Sequence, residues 1–527
     1  MKIEQPFDSS GLKPRTRSGL ILHFDFAQCP SMKCPEPVEG SSASVPTINS
    51  EVSALSKYQF IPGDVCLKCD VCCRFLEVTT PYAPFFLPEE AEKLAENFTK
   101  IGSKTDLKPL PVRMACGKSF KCRFFEEASN SCRVYATRPL DCMLYPFMVT
   151  YDKTRESVIL ALDTKCPYTK NKYDSPDLKT CAGHISEALE DTRLSGIIAK
   201  NRVFINDFQE DSIAVKKLQR ISGAVFPGNL SLKRISLSDK GIFSGHLAGA
   251  PPASAFSFAQ TYIWSNTLNI LWKIIEGSLC VFAGDEDDFF LLFPPLAGTR
   301  LNKKALMEAF DALKAMNSGK SPAARIENIP EEFSNDIASL GFKTVKTDNE
   351  YIYKTAELAG LKGDKHKSHR ALVNRFLKDH EYNYRLFTED DLAGCLDLYL
   401  KWAGTKIKNT NDKLARYLAE DSYYAQKTAM MNSREIGLEG RLVEIDGRIR
   451  GYTFSFRLNK NTLAVLFETT DPDIKGLPQF MFKETAKEFA SYEFINALGH
   501  SGMKNLKRTK EAYHPKKILE VLTAYKM

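Results

Sequence analysis

Apolar residues recur at both helical and strand-like spacings through the second half of the chain. Lys303–Met316 places its apolar positions three and four residues apart, which predicts an amphipathic helix. Ser278–Phe282 and Phe289–Phe293 are short apolar runs on either side of the acidic turn Gly284–Asp288. Two such runs around a short polar turn predict a pair of strands.

A second group of apolar runs predicts an antiparallel meander. These runs are Leu442–Ile445, Arg450–Phe456 and Thr462–Glu468. The dipeptide Asp446-Gly447 lies between the first two, and Asp-Gly is a strong signal for a tight hairpin turn. Gly476–Glu488 then predicts a helix. The order of elements after about residue 230 predicts a mixed α/β architecture whose sheet is predominantly antiparallel.

Two earlier regions differ from this pattern. Residues 186–222 carry apolar residues at helical spacing with Lys and Arg between them, so they predict a helical segment. The break at Pro227-Gly228 places a domain boundary near 185–228. The first 50 residues mix Pro, Ser, Gly and charged residues without a period, which predicts an unfolded segment. We expect Cys29 and Cys34 within it to take no part in metal binding.

Composition and charge are those of an ordinary soluble protein of several domains. The 527 residues are 43% hydrophobic and 26% charged, which predicts about two to four domains. The net charge of +7 is mild for this length and does not by itself indicate nucleic-acid binding. We find no run of about 18 apolar residues and no secretory signal. We therefore expect a cytoplasmic protein without a transmembrane segment, and peripheral contact with a membrane stays open.

The strongest chemical signal is a run of four cysteines, Cys66, Cys69, Cys72 and Cys73, within eight residues. Six more follow before residue 182: Cys116, Cys122, Cys132, Cys142, Cys166 and Cys181. Thiolates at this spacing are good ligands for a soft or borderline metal. A disulfide between the neighbours Cys72 and Cys73 is strained, and disulfides need an oxidising compartment. The cysteines therefore predict a metal centre.

The spacing leaves both zinc and an iron–sulfur cluster open. Structural zinc takes four tetrahedral ligands, so eight or nine cysteines are enough for two zinc sites. A cubane cluster also takes four thiolates, often from a compact C-x2-C-x2-C run and one remote cysteine. Cys66, Cys69 and Cys72 supply that run, which slightly favours iron–sulfur for one centre. Either metal is expected to contribute free energy to the folding of this loop-rich segment.

A second cysteine block, C-R-V-Y-A-T-R-P-L-D-C-M-L-Y-P-F, runs from Cys132 to Phe147. Together the two blocks resemble the YkgJ-type cysteine-cluster family of zinc- or iron-chelating domains, over roughly residues 60–185. The resemblance implies nine metal ligands: Cys66, Cys69, Cys72, Cys73, Cys116, Cys122, Cys132, Cys142 and Cys166. Cys181 lies outside the pattern, and we interpret it as a core cysteine. Arg138 is expected either to neutralise thiolate charge or to lie in a surface turn.

The predicted order of three strands, a helix and a strand, with Glu468 closing the third strand, is the layout of an N-acetyltransferase-like fold. Several stretches, in order, resemble the C-terminal domain of phosphatidylglycerol lysyltransferases, a tandem acyltransferase-fold family: Asp348–Tyr353, Leu358–Gly363, His369–Phe376, Gly437–Gly440, Ile495-Asn496 and Gly499–Pro515. The likeness covers roughly residues 230–527. It implies transfer of an aminoacyl group from a charged tRNA. The chain lacks the multi-span membrane region of the lipid-modifying members, so the acceptor stays unknown.

We therefore predict an α+β protein with a loop-rich, metal-bound cysteine module. Tandem N-acetyltransferase-like domains with mixed, largely antiparallel sheets follow this module. The expected segments are a disordered N-terminal segment, a metal-binding domain, a helical linker, and a first and a second acetyltransferase-like half: residues 1–55, 56–185, 186–228, 229–345 and 346–527.

Glu468 and Asn496 are the candidate catalytic residues. Glu468 is expected to orient an incoming amine or accept its proton, and Asn496 to donate a hydrogen bond to a developing oxyanion. Two basic stretches supply candidate residues for binding the phosphates of tRNA or coenzyme A: Arg370, Lys504, Lys507, Arg508 and Lys510. Ala497-Leu498 follows Asn496, where the resemblance leads us to expect one or two acidic residues. Catalytic competence at that position therefore stays open.

Two functions compete at this stage. In the first, a module that binds zinc or an iron–sulfur cluster is fused to a transferase that uses aminoacyl-tRNA or acyl-CoA and acts on an unknown acceptor. In the second, the transferase fold is inactive, and the chain is a metal-dependent RNA- or partner-binding protein. Redox or methyl chemistry at the cysteines is disfavoured because no S-adenosylmethionine-binding glycine loop follows a predicted strand.

Overall fold

The chain folds into two modules, and the first of them carries the cysteine cluster. The computed structural model describes residues 60–526, apart from 67–68, 70, 81, 116, 118, 171, 285–287, 318–323 and 409–412. The expected unfolded segment 1–55, with Cys29 and Cys34, lies outside the described residues, and so does Cys116.

The first part of the cysteine module consists of short elements. Its helices are α1 (Gly63–Cys66), α2 (Pro88–Lys93) and α3 (Leu140–Leu144). Its strands, each of two residues, are β1 (Arg74–Phe75), β2 (Lys100–Ile101), β3 (Lys104–Thr105), β4 (Val112–Arg113), β5 (Phe120–Lys121), β6 (Phe125–Glu126) and β7 (Ser131–Cys132). A small apolar cluster around Phe86, Phe98 and Phe124 lies beneath them. This part is loop-rich, as the sequence predicts.

The second part of the module is a three-stranded antiparallel sheet with helices packed on it. The strands are β8 (Phe147–Tyr151), β9 (Val158–Asp163) and β10 (Ser212–Lys217). The helices are α4 (Pro176–Leu189), α5 (Thr192–Lys200) and α6 (Gln219–Val225). Every residue of β8 and β9 is buried. The module thus has an apolar core in addition to any contribution from a metal.

The prediction that residues 186–222 are helical is wrong for Ser212–Lys217. This segment is β10, an edge strand that pairs with β9. Its β-branched residues Ile213 and Val215 alternate along the strand and are partly exposed, at 42% and 38%. Pairing with a buried strand therefore outweighs the helical spacing of the apolar residues. Helices α4 and α5 do occupy the earlier part of the region.

The second module is built on one large sheet. Its strands are β11 (Lys233–Arg234), β12 (Asn269–Ile275), β13 (Ser278–Gly284), β14 (Phe290–Leu291), β15 (Leu296–Ala297), β16 (Arg300–Leu301), β17 (Arg325–Pro330), β18 (Phe342–Lys354), β19 (Asn383–Leu386), β20 (Leu438–Ile445), β21 (Arg448–Arg457), β22 (Thr462–Thr470), β23 (Phe494–Asn496) and β24 (Lys517–Lys526). Within the described residues, twelve of them form a sheet in the order β11-β12-β13-β14-β17-β24-β18-β23-β22-β21-β20-β19. Strands β15 and β16 form a separate hairpin.

Helices pack around this sheet. They are α7 (Lys240–His246), α8 (Phe258–Tyr262), α9 (Lys303–Met316), α10 (Ser334–Ser339), α11 (Thr355–Gly360), α12 (Lys367–Asp379), α13 (Leu392–Lys408), α14 (Lys413–Met431), α15 (Ser433–Ile436), α16 (Leu477–Glu488) and α17 (Lys504–Ala512). Across the described ranges, no helix is both long and apolar enough to cross a membrane.

The large sheet contains a similar unit twice. In the first unit, antiparallel strands up to β14 are followed by α9 and then by β17, which is parallel to β14. In the second, the meander β20–β22 is followed by α16 and then by β23, which is parallel to β22. The last strand, β24, pairs with β17 on one side and with β18 on the other, and so joins the units. This confirms the α+β class with tandem N-acetyltransferase-like halves and largely antiparallel pairing.

Several local predictions are confirmed. Helix α9 has the predicted bounds, and most of its apolar residues are buried. Strands β13 and β14 pair antiparallel, as predicted for the two runs around the acidic turn. Asp446 and Gly447 have positive φ angles of 51° and 67°, which a two-residue hairpin turn of this type requires.

The two modules contact each other through α14 and the β2–β3 hairpin. The backbone N–H of Ser103 donates to Glu420 at 2.6 Å. Gly102, with a φ of 60°, lies so close to that carboxylate that a Cβ atom would approach it to 2.1 Å. Nearby, the Nζ atom of Lys427 donates to Asp106 at 2.5 Å, and these two residues are 7% and 5% exposed. A partly buried polar interface therefore fixes the cysteine module to the large sheet.

Candidate functional site

The second unit of the large sheet opens where β22 and β23 separate. These parallel strands pair only between Thr462–Ala464 and Phe494–Asn496. Strand β23 ends there, whereas β22 continues for six more residues to Thr470. Glu468 lies on this continuation, close to its end. Its side chain is therefore beside a gap in the sheet.

Glu468 is half-buried, and part of its carboxyl group is removed from water. Its Oε2 atom is buried and has no hydrogen-bond partner among the described residues. Burial raises the pKa of Glu468 to about 8, and the nearby ammonium of Lys510 offsets this rise only in part. A carboxyl group that holds its proton near neutral pH and has an unused oxygen is suited to exchange a proton with a substrate.

Lys510 reaches the same gap from α17. The less exposed residues of this segment recur at spacings of three and four and form its inner face: Met503, Leu506, Lys510 and Tyr513. The Nζ atom of Lys510 donates to the carbonyl oxygens of Ala497 and Leu498. Burial lowers the pKa of Lys510 to about 8, against the attraction of nearby carboxylates. Backbone carbonyls thus supply acceptors at the two positions where we expected an acidic side chain.

Asn496 is fully buried, and its amide group is used inside the protein. Its Nδ2 atom donates to Glu350 at 2.6 Å and to the carbonyl of Pro252 at 3.0 Å. Its Oδ1 atom accepts the N–H of Leu498 at 2.8 Å. Glu350 also accepts from the backbone N–H and hydroxyl of Ser254. The expected donation from Asn496 to an oxyanion does not agree with this geometry, because both amide hydrogens are engaged.

The loop after β23 is held in a strained conformation. Leu498 and Ser501 have positive φ angles of 58° and 48°, which are costly for residues with side chains. Asp348 accepts the backbone N–H groups of His500 at 3.1 Å and of Ser501 at 3.0 Å. A Cβ atom at Gly499 would approach the Asp348 carboxylate to 2.2 Å. The loop is therefore fixed around Asp348. Its first two carbonyl groups, those of Ala497 and Leu498, accept from the ammonium of Lys510.

The other predicted binding residues occupy two places. Three are exposed on the outer face of α17: Lys504, Lys507 and Arg508. Arg370 lies on α12 and donates to the carbonyl oxygens of Leu361 and Gly363, the latter at 2.6 Å. Arg370 therefore holds the loop before α12, and α17 provides the cationic surface beside the gap.

Sequence reasoning missed the residues of β18 that face this site. Asp348 and Glu350 both attract the ammonium of Lys510. The Nζ atom of Lys510 also lies 5.9 Å from the centre of the Tyr351 ring, whose buried hydroxyl has no hydrogen-bond partner within the described ranges. The signal was present in the stretch Asp348–Tyr353, where two acidic residues come directly before the apolar end of a strand. These acidic residues belong to the site as well as to the family resemblance.

The described cysteines of the first module converge on one region. Eight of them lie close enough for their charges to affect one another's pKa: Cys66, Cys69, Cys72, Cys73, Cys122, Cys132, Cys142 and Cys166. Cys166 is buried, Cys142 is exposed and the other six are half-buried. The N–H of Cys122 donates to the carbonyl of Cys73 at 2.8 Å. Cys181 packs elsewhere, against the apolar core of α4 and its neighbours.

These thiols fit a thiophilic metal by their chemistry. Burial raises the pKa of the Cys66 and Cys132 thiols, and the guanidinium of Arg138 opposes that rise. A bound metal cation would lower the thiol pKa values as the guanidinium of Arg138 does, and more strongly. No group of three or more His, Cys, Asp or Glu side chains in the described part of the chain is already arranged as a metal site. The cysteines therefore share a region, but their present geometry does not select a set of four ligands.

Comparison with known families identifies both modules. The family described as "Phosphatidylglycerol lysyltransferase, C-terminal" matches residues 250–525, which is more than half of the chain. The family described as "Putative zinc- or iron-chelating domain" matches residues 65–167. Both resemblances inferred from the sequence are thereby confirmed. No curated protein matches the chain.

Solved structures resemble the chain at low identity. A conserved protein of unknown function from Bacteroides thetaiotaomicron is 22% identical with a TM-score of 0.48, over 56% of this chain and 99% of that one. The structure of L-PGS from Bacillus licheniformis is 15% identical with a TM-score of 0.40, over 56% of this chain and 92% of that one.

Proposed function

This chain belongs to the phosphatidylglycerol lysyltransferase C-terminal family, and from that premise we propose that it transfers an aminoacyl group from a charged tRNA to an acceptor with a nucleophilic amine or hydroxyl. One observation carries the proposal. Helix α17 has exposed cations on its outer face. From its inner face Lys510 points towards Glu468 of β22, whose charge affects the pKa of Lys510. A single helix therefore links a surface suited to a polyanion with a site suited to proton transfer.

In the proposed step, the nitrogen or oxygen of the acceptor attacks the ester carbonyl carbon of the aminoacyl-tRNA. The bond from that carbon to the terminal ribose oxygen breaks, and Glu468 takes the proton that the acceptor loses. The same proton then passes to the departing ribose oxygen, so no further reactant is consumed. Because the ester is already activated, holding the reactants together supplies much of the rate. Lys510 favours the ionised, proton-accepting form of Glu468.

The proposal is tested by comparing donors. Purified protein is incubated with tRNAs that carry radiolabelled amino acids, and separately with acyl-CoA, in the presence of membrane lipids or of amine acceptors. We expect label to leave the tRNA faster than in a protein-free sample and to reappear on an acceptor. If transfer occurs from acyl-CoA and not from aminoacyl-tRNA, the donor is acyl-CoA and the proposed donor is wrong. Binding of tRNA without loss of its aminoacyl group would instead favour the inactive RNA-binding protein.

The outer face of α17 predicts salt-sensitive binding of tRNA. Replacing Lys504, Lys507 and Arg508 together by alanine removes three exposed cations. We expect the variant to bind tRNA roughly 10- to 100-fold more weakly at low salt, because phosphate contacts supply most of such affinity. The slope of log Kd against log salt concentration should fall by about one for each phosphate that is no longer neutralised. Fluorescence anisotropy of labelled tRNA measures both quantities.

A matched control removes three cations from another helix. Lys303, Lys304 and Lys314 lie on α9, and each is at least 46% exposed in its side chain. Their replacement by alanine should leave both the affinity and the salt slope close to those of the parent protein. Equal losses in the two triple variants would mean that α17 is not a specific tRNA surface.

We also propose that the converging cysteines, with Cys116, hold one or two centres of zinc or iron–sulfur. A bound centre would cross-link the short loops of the first module. After anaerobic purification we expect zinc or iron with sulfide in stoichiometric amount, and a visible spectrum distinguishes the two. Cys72→Ser should lose most of the metal, whereas Cys181→Ser should retain it because Cys181 packs against the apolar core. Metal-free protein that folds normally would contradict this proposal.

A further inference from the structure

Three of the chain's eight histidines meet where α17 ends. The ring centre of His366 lies 5.7 Å from that of His369 and 5.6 Å from that of His514. His366 and His369 are 1% and 7% exposed, whereas His514 is exposed. These three residues, called the histidine cluster below, combine two buried imidazoles with one that faces solvent.

The two buried imidazoles have unused nitrogen atoms. Three ring nitrogens have no hydrogen-bond partner among the residues that the structure describes. They are both ring nitrogens of His366 and the Nδ1 atom of His369. Buried polar atoms in folded proteins are normally paired. Burial lowers the pKa of both residues below the ordinary histidine value of about 6.5. Both rings are therefore neutral near pH 7.

The charges around the cluster oppose the uptake of protons. Lys365 adjoins His366 and disfavours its charged form, and the ion pair of Lys365 with Glu357 of α11, at 2.6 Å, compensates in part. The Nε2 atom of His514 lies 3.3 Å from the carbonyl oxygen of Lys365. A charge on His514 disfavours the charged form of His369, and charges on His369 and His514 disfavour that of His366. A proton on one ring therefore makes a proton on the next less favourable.

Tyr513 connects the cluster to the gap that holds Lys510. It directly follows α17, and its ring stacks on that of His369 at 4.0 Å. The ring also contacts Tyr353 and Phe482 edge-on. The hydroxyl of Tyr353 in turn donates to the backbone carbonyl of Lys510 at 2.7 Å. The last turn of α17 is thus held by packing against a neutral imidazole.

We propose that the histidine cluster is a proton-controlled clamp that positions α17, and with it Lys510, in the gap of the sheet. When His366 and His369 are neutral, Tyr513 packs on the cluster and the clamp is closed. When they take up protons, the buried charges repel each other and the nearby cations, so an open arrangement that admits water is favoured. The consequence for transfer activity rests on the role proposed for Lys510; the clamp itself does not.

The sign of the pH effect follows from the buried bases. Their pKa is lower in the closed form than in the open form, so the open form binds protons more readily. The closed form is therefore fully stable above about pH 6.5 and loses stability as the pH falls below it.

The test is hydrogen exchange of the full chain at about pH 7.5 and about pH 5.5, corrected for intrinsic exchange. We expect the α17 amides to lose protection several-fold or more at the lower pH, because the open form takes up protons that the closed form excludes. In the double variant His366→Phe and His369→Phe both positions keep an aromatic ring, but these rings cannot bind protons. Protection of α17 in this variant should be nearly the same at both pH values.

Two further measurements keep the test decisive. His380→Phe removes a histidine at the far end of α12 and should leave the pH response of α17 intact. If the double variant does not fold, NMR titration of the parent histidines replaces it, and a pKa at or above 6.5 for both buried residues would overturn the clamp. Unchanged protection of α17 in the parent protein would overturn it as well. If α17 responds to pH but the protein transfers no aminoacyl group, the proposed function is wrong and the clamp is still supported.

Discussion

Replacing Glu468 by glutamine is expected to slow aminoacyl transfer by roughly 10²- to 10⁴-fold, the range that a lost general base produces. Glutamine keeps the size of the side chain but cannot accept a proton. Because the pKa of Glu468 is about 8, the parent rate should rise with pH and level off above that value. The variant should lose this rise while its affinity for tRNA changes little. Single-turnover rates across the pH range, with anisotropy for affinity, provide the measurement.

A matched variant separates this effect from a general change in charge. Glu439 lies on β20 of the same sheet, and its side chain is 56% exposed. Glu439→Gln should retain the parent rate within about two-fold. A Glu468→Gln variant that also kept the parent rate would exclude Glu468 as the proton acceptor.

Glu468→Gln is expected to lower the activity but not the stability of the protein. The raised pKa means that folded Glu468 binds its proton more tightly than the unfolded chain does. Ionisation of this carboxyl group therefore favours the unfolded state. The effect grows as the pH rises from the ordinary glutamate pKa of 4.5 towards 8. Glu468→Gln should consequently melt at the same temperature as the parent or higher at alkaline pH. Loss of activity together with gain of stability is typical of residues that serve a reaction.

The elements that the sequence predicts well are those whose causes are local. Helix α9 has the predicted bounds because its buried residues follow one helical face. The hairpin at Asp446-Gly447 follows from backbone angles that few other dipeptides tolerate. The meander β20–β22 follows from β-prone runs separated by such turns.

The elements that it predicts poorly depend on distant partners. Strand β10 has helical spacing in its sequence, but it pairs with the buried strand β9. Strand β24 comes from the C-terminus and lies between β17 and β18, so it belongs to both units of the sheet. Sequence periodicity identifies a strand but carries no record of the neighbour with which it pairs.

The candidate site shows the same division. Glu468 and Lys510 could be chosen from the sequence, but their altered pKa values arise from burial that only the fold creates. Asn496 and Arg370 were also chosen, and the fold directs their donors to protein carbonyls and a carboxylate instead of to solvent. Side-chain chemistry is visible in a sequence, whereas the competition for each hydrogen bond is not.

The interface between the modules connects the cysteine module to the large sheet through α14. Tyr423 of α14 donates to Asp106 at 3.2 Å, and Gln426 of the same helix accepts from Tyr452 of β21 at 2.7 Å. One face of α14 therefore contacts the cysteine module, and another contacts the sheet. Disturbing the first module should reach the second through this helix, because both contacts are buried and hydrogen-bonded.

Lys427→Met tests that coupling and is expected to lower the free energy of unfolding by about 3–5 kcal/mol, the usual cost of removing one partner of a buried ion pair. The substitution leaves the buried carboxylate of Asp106 without its cation. The exposed pair Lys314–Asp311 is the control, and Lys314→Met should cost less than about 1 kcal/mol. Adding Asp106→Leu to Lys427→Met should recover part of the loss, since no charge is then left unpaired. Urea unfolding followed by tryptophan fluorescence measures all four proteins, and a loss below about 1 kcal/mol for Lys427→Met would mean that water already screens the pair.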